Sequence, residues 1–240
     1  MTDSRGFILD KLSNSLKNNG SNLKFRQERA ARRMCEHPAG PRPAHGVPAS
    51  GDSDGRADIF IARAQRAGAQ TYRVSDISQV PTTLRSAIER YALENPKFPP
   101  LDVVSLRLCA DPRLTELDWI NAGIAVQGGR AQGADRVSLS YAFAGVAETG
   151  TAVLLSGAEQ PTTLNFLPEV HVVLVEKTSI VSHYEDAWML IRKQSTQPPI
   201  LPRTINWITG PSRTADIEQT LLMGAHGPRH LIVVIVDAKS

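Results

Sequence analysis

The chain has 240 residues, 41% of them hydrophobic, and 27 Lys and Arg against 24 Asp and Glu give a formal charge of +3. That length supports one large α/β domain or two small ones with a core of ordinary size. No apolar stretch approaches the ~20 residues that span a bilayer, Met1-Thr2-Asp3-Ser4-Arg5 lacks an apolar signal core, and Cys35 and Cys109 are not spaced as metal or iron–sulfur ligands. The expectation is therefore a cytoplasmic protein with no membrane partner, no bound metal and reduced thiols.

Charge is unevenly placed. Residues 1–33 hold eight Lys or Arg against Asp3, Asp10 and Glu28, a balance of +5 that leaves −2 for the remainder. The basic character belongs to an N-terminal arm, and no nucleic-acid partner is expected. Residues 1–34 read as helical in two pieces, with Phe7, Ile8, Leu12 and Leu16 on one face and an interruption at Asn18-Asn19-Gly20-Ser21-Asn22. Two readings stand for this arm. It docks on an acidic partner or a second copy of the chain, forming a homo-oligomer, or it is a solvated pair of helices. Residues 35–55 are rich in Pro, Gly, Ala and Asp and read as a linker or extended loop.

From residue 56 to 240 the texture is alternating α/β. Residues 58–67 form an amphipathic helix ended by Gly68, 70–74 a strand, and 81–93 a helix with Pro81 at its start. Strand 103–108 follows, then a short helix over 114–121, strand 124–126, a Gly-rich loop over 127–135 and strand 137–140. Residues 141–147 read as a short helix or turn and 151–156 as a strand. After them come strand 171–175, helix 184–193, strand 206–208, helix 217–223 and a final strand over 231–236. Strands apolar on both faces and separated by helices predict a mainly parallel sheet covered on both sides.

Ligands of open α/β sheets bind beyond the carboxyl ends of the strands, and three loops are candidates. Gly128-Gly129-Arg130-Ala131-Gln132-Gly133-Ala134-Asp135 could approach a phosphate, but it matches neither GxGxxG nor the P-loop, and a solvated hairpin-like connection is its plainer role. In Ala147-Glu148-Thr149-Gly150-Thr151, Glu148 has the type and place of an acid, base or ligand anchor; the alternative is a helix cap or an arginine partner. The third is Gly210-Pro211-Ser212-Arg213-Thr214, read as the turn between a strand and a helix. Amides at a helix start attract anions, and Arg213 adds a forked positive charge.

His226, within Gly224-Ala225-His226-Gly227-Pro228, is a candidate acid, base or ligand contact. Its alternative is a histidine bonded to a turn carbonyl. His171 reads as a satisfied core residue, and His183 and His230 as surface residues at a helix start and a strand start. Thr162, Thr163 and Asn165 are polar candidates for the same cleft as Thr149 and Gly150. Trp119, Trp188 and Trp207 read as packing residues.

Several of these blocks are familiar together. Gly145-Val146-Ala147-Glu148-Thr149-Gly150-Thr151 resembles the AETGT block of the LUD domain, the family of lactate-utilisation protein C. Thr163-Leu164-Asn165-Phe166-Leu167-Pro168-Glu169-Val170-His171 is similar to a second block. The strongest resemblance lies in residues 208–218, followed by Gly224-Ala225-His226-Gly227-Pro228-Arg229. It extends over about residues 56–238.

The resemblance implies a three-layer α/β fold like that of the CoA-transferase and ribose-phosphate isomerase superfamily. It also implies a place in a three-part system that oxidises L-lactate to pyruvate, whose sister proteins resemble iron–sulfur electron carriers. This chain lacks their cysteine clusters, so no cofactor is expected on it and the clusters belong to partner proteins. The expectation is a non-redox subunit or accessory protein with a small anionic ligand at Ser212 and Arg213. The alternative is a stand-alone acyl- or group-transfer enzyme for a phosphate- or CoA-bearing substrate. Glu148 would then be nucleophile or base, and the 210–214 turn the anion cradle.

Overall fold

A strand that is apolar on both faces needs cover on both, and that requirement organises most of this chain. The computed structural model describes residues 4–17, 23–36, 52–99, 105–194, 201–215, 221–223 and 226–237. The chain divides into two units, Met1–Arg42 and Pro43–Ser240.

The first unit holds α1 (Ser4–Lys17) and α2 (Leu23–Glu36). On α1 the apolar residues Phe7, Ile8 and Leu12 are all more than half exposed. On α2 Arg32 pairs with Glu36 one turn later at 2.8 Å, an exposed contact of small energy.

The second unit opens with α3 (Ser53–Arg66), which begins inside the stretch whose composition reads as linker. Asp52 caps it by accepting the Gly55 N–H at 2.6 Å. Its end is a Schellman pair: Gly68 N–H donates to the Gln65 carbonyl and Ala69 N–H to that of Ala64. Gly68 supplies the left-handed residue that this turn needs, at φ +96°.

Then follow β1 (Gln70–Val74), α4 (Val80–Glu94), β2 (Ser105–Leu108), α5 (Pro112–Thr115), β3 (Ala125–Gly128) and β4 (Val137–Tyr141). Next come β5 (Ala144–Val146), β6 (Thr151–Leu155), β7 (Val170–Glu176), β8 (Ile180–Val181), α6 (Tyr184–Gln194) and β9 (Ile205–Ile208). The chain ends with β10 (Arg213–Ala215), β11 (Leu221–Met223) and β12 (His230–Val236).

Six strands form one sheet in the order β1-β12-β7-β4-β2-β3, and every neighbouring pair is parallel. One face carries Leu106, Leu139, Val172, Leu174, Ile232 and Val234, packed with Leu84, Ile88 and Tyr91 of α4. The other carries Val173, Val175, Leu231, Val233 and Ile235, packed with Ala57, Phe60 and Ala64 of α3. The expected α/β fold with a mainly parallel sheet is thus present. Its period-2 alternation puts β7 and β12 into both cores at once.

A second sheet, in the order β8-β5-β6-β9, was not expected. One side contributes Ala152, Leu154 and Ile180 to the α3 core, and the other packs Val146 and Val153 on Ala187 and Ile191 of α6. Residues 144–146, read from sequence within a helix or turn, are its strand β5. A Cβ on Gly145 would lie 3.1 Å from Phe60 and 3.2 Å from Val175, so small residues serve close sheet packing here. The helix expected over 114–121 is a single turn, α5, followed by turns that bury Trp119 against the Leu114 carbonyl at 2.7 Å.

The larger correction concerns the C-terminal motif. No helix covers Leu221–Met223: β11 pairs antiparallel with β10, Arg213 opposite Met223. Residues 217–220 of the expected helix lie outside the described residues. The Gly-rich loop over 127–135 is not a hairpin either, because β3 and β4 flank β2 and run parallel to it.

Candidate functional site

Three segments converge on the last turn of α3. Gly150, at φ +69°, brings the 147–150 turn so close that a Cβ there would lie 2.2 Å from the Ala64 nitrogen. Gly210, at φ +76°, leaves 2.3 Å between such a Cβ and the Ala67 carbonyl oxygen. The Arg213 guanidinium occupies the place that a Cβ on Gly68 would take. Arg213 therefore lies beside the C-terminal end of α3, where unpaired carbonyls concentrate partial negative charge. The positive helix start that the sequence suggested for this arginine is replaced by strand β10.

The same turn meets the one before β12. Ser212 N–H donates to the Pro228 carbonyl at 2.9 Å, and a Cβ on Gly227 would meet both the Ser212 side chain and Phe166. Pro211 and Ser212 are half-buried, and Arg213 and His226 are exposed. Thr214 belongs to β10, and its side chain lies outside the described residues. Gly210, Pro211, Ser212, Arg213 and His226 thus sit on two linked turns. These turns lie at the amino ends of β1 and β12, not at the carboxyl edge that the general rule for open sheets indicates.

Glu148 has a different partner from those expected. Its Oε2 lies 2.8 Å from His183 Nδ1, and its N–H donates to the Ser182 carbonyl at 3.1 Å. The His183 side chain is 5% exposed and that of Glu148 19%, so His183 is a buried residue, not a surface one. His183 also starts α6: its N–H donates to Asp186 Oδ2 at 3.0 Å, half of a capping box.

Beside this pair stands a cluster of hydroxyls. Thr149 Oγ1 donates to Tyr184 Oη at 3.0 Å and lies 2.7 Å from Thr151 Oγ1. Thr151 Oγ1 also meets Tyr184 Oη at 3.0 Å and Thr209 Oγ1. Thr149, Tyr184 and Thr151 close a ring into which Thr209 can donate, so that each of the four hydroxyls donates once. His183, Tyr184, Thr151 and Thr209 were not among the sequence candidates. Thr151 and Thr209 lie within the family blocks at 145–151 and 208–218, whereas His183 and Tyr184 lie in none.

The remaining candidates have structural partners. Thr163 Oγ1 accepts the Ala131 N–H at 3.0 Å and ties the Gly-rich loop down. Asn165, 2% exposed, accepts from Ser140 Oγ at 3.1 Å, and Ser140 Oγ lies 3.0 Å from His171 Nε2. Full burial pushes His171 down to about 3, and its Nδ1 has no hydrogen-bond partner among the described residues. His230 stacks on Tyr91 with ring centres 4.6 Å apart, and burial lowers its pKa too.

The carboxyl edge of the large sheet is occupied by ion pairs. Arg113 bonds to Asp111 and Glu176 and stacks 3.6 Å over the Tyr141 ring. Among the described residues no group of three or more His, Cys, Asp or Glu is placed to hold a metal ion. No helix among them is long and apolar enough to cross a membrane.

Comparison with known proteins gives these blocks a context. A family model described as LUD domain matches residues 57–236. Lactate utilization protein C of Geobacillus thermodenitrificans is 39% identical over 105 residues, 43% of this chain and 44% of that protein. The protein of that name in Bacillus subtilis is 36% identical over 101 residues, 42% of each chain. An uncharacterised protein of Neisseria meningitidis is 37% identical over 97 residues, 40% of each. The chain spans less than half the length of these curated relatives. Among solved structures, a DUF162 family protein from Deinococcus radiodurans superposes with a TM-score of 0.54 at 18% identity, covering 77% of this chain and 98% of its own. That likeness is one of fold.

Proposed function

The chain belongs to the LUD domain family, and from that membership we propose that it serves lactate utilisation as a non-redox component, binding a small organic anion and docking on iron–sulfur partner proteins. Its sequence likeness to proteins named lactate utilization protein C carries the reading. Two cysteines in the whole chain cannot supply the four thiolates that an iron–sulfur cluster takes. The linked turns at Gly210–Arg213 and His226–Pro228 support the anion site: Arg213 offers an exposed planar fork that suits a carboxylate.

The test is deletion of the coding sequence in its native host, with growth on L-lactate as sole carbon source. Growth should fail on lactate, persist on glucose and return with the native chain, while Arg213→Ala restores it poorly. A tagged chain should co-purify with iron–sulfur proteins. Undiminished growth on lactate after deletion would overturn the reading.

A second reading rests on Glu148 and His183. A carboxylate held 2.8 Å from a buried imidazole suits a nucleophile or base in acyl or group transfer from a phosphate- or CoA-bearing substrate. Turnover of such substrates that is lost in Glu148→Gln would favour it. Restoration of lactate growth by Glu148→Gln would remove it.

A further inference from the structure

A cleft of about 480 Å³ opens where the end of β6 and the start of β9 meet the loop between β3 and β4. Its polar lining is Arg130, Ser156, Thr162, Thr163, Arg203 and Thr204. Arg130, Thr162 and Thr163 fall in segments that the sequence singled out, and the turns at Arg213 and His226 do not line the cleft.

Its hydrogen-bonding sense is one-sided. The Ser156 hydroxyl accepts the Thr204 N–H at 2.8 Å, and the Thr163 hydroxyl accepts the Ala131 N–H at 3.0 Å. One backbone donor thus already occupies an acceptor position on each hydroxyl. Their protons, which no other group among the described residues accepts, remain to be donated.

The two arginines are likewise uncompensated. Arg73, Arg85, Arg107, Arg113 and Arg136 each pair with a carboxylate. Arg130 and Arg203 have no such partner among the described residues, and no Asp or Glu lines the cleft. Two unmatched guanidiniums and free hydroxyl donors around one concavity form an electrostatic complement to an anion.

Size narrows the class. At roughly 30 Å³ per water-sized group, 480 Å³ holds on the order of 16 such groups. A three-carbon acid such as lactate fills a minor part of it and reaches few of the donors. We propose that this cleft binds an organic polyanion larger than lactate, bearing a phosphate group or several carboxylates, with Arg130 and Arg203 as its charge clamps. This goes beyond the lactate reading, and its readout does not involve growth on lactate, so the two fail independently.

Calorimetric titration of the full chain with glucose 6-phosphate, AMP, citrate and L-lactate tests the proposal. At least one of the first three should bind with a Kd tenfold or more below that of lactate, and the pattern separates phosphate esters from tricarboxylates. Arg130→Ala and Arg203→Ala should each weaken that ligand at least tenfold, whereas Arg90→Ala, an exposed arginine on α4, should not. Gly157 lines the cleft, and a Cβ there meets no atom within 4 Å. Gly157→Leu should therefore fold normally and block binding. Failure of all three larger anions to bind at millimolar concentration would overturn the proposal, as would binding unchanged by the arginine and leucine variants.

Discussion

Glu148 and His183, 35 residues apart in sequence, meet because of strand register. β5 and β8 run parallel with Val146 opposite Val181, and continuing that register by two residues sets Glu148 beside His183, with Oε2 and Nδ1 2.8 Å apart. The Ala147 and Glu148 amides extend the ladder to Val181 and Ser182. A backbone pairing thus positions a pair of side chains with potential for chemistry.

The pair should be coupled in stability whatever its chemistry. Glu148→Ala leaves a buried ring nitrogen without its partner, and such losses cost about 1–3 kcal/mol. Glu148→Ala, His183→Ala and the double variant, measured by urea unfolding, should give a coupling of about 0.5–3 kcal/mol. Additive single effects would show that the contact contributes nothing.

Gly150 and Gly210 should not tolerate alanine. Both have left-handed φ values, and a Cβ would meet backbone atoms of α3 (for Gly150) or of its C-cap Ala67 (for Gly210) within 2.3 Å. Each substitution should cost more than about 1 kcal/mol, which lowers Tm by at least ~2–4 °C in a chain of this size. Gly157→Ala, which meets open space, is the matched control and should leave Tm within a degree or so.

Acid should destabilise the fold through His171. Burial puts its folded pKa at about 3, below the ordinary histidine value of 6.5, so between those values the unfolded chain binds the proton that the folded chain refuses. Stability should be undisturbed by this group above about 6.5 and should decline as pH falls towards 3. The slope is at most about 1.4 kcal/mol per pH unit. Urea midpoints at pH 7.5 and 5 should differ for the native chain and differ less for His171→Gln.

Arg107 and Asp135 anchor the Gly-rich loop. The pair is bidentate at 2.9 and 3.0 Å, with side chains 11% and 7% exposed, and Asp135 also accepts the Gln132 N–H. Burial alone would raise the Asp135 pKa, but the Arg107 guanidinium and the Gln132 N–H together outweigh it and the net shift is downward. Arg107→Met strands the carboxylate and should cost about 3–5 kcal/mol. Amide exchange at Gln132 should accelerate in the same variant.

Much of this architecture is legible in the residues themselves. Val170–Glu176 and His230–Val236 are too apolar to face water on either side, and their composition suffices to bury them in a parallel sheet. Gly68 ends α3 where Gly68 stands in the sequence, because few other residues adopt φ +96° at little cost. The family blocks at Glu148, Asn165 and Ser212 are visible in the same way. Short strands are not: Ala144-Gly145-Val146 has no periodicity to distinguish it from a turn, and only its neighbours β6 and β8 make it a strand.

The 210–218 motif marks the boundary between the two kinds of information. Local chemistry, a Gly-Pro turn with Ser, Thr and acids after it, suits a helix start, and nothing nearby in sequence argues otherwise. Pairing of β10 with β11 overrides that preference, and the close approach of Gly210 to Ala67 places Arg213 at the end of α3. The chain alone specifies the apolar strands of the core, the glycine turn that ends α3 and the family it belongs to, since those follow from side-chain polarity and backbone allowance. Which residues stand beside one another, Glu148 by His183 or Arg130 and Arg203 around one cleft, follows from long-range register and packing, which no local pattern encodes.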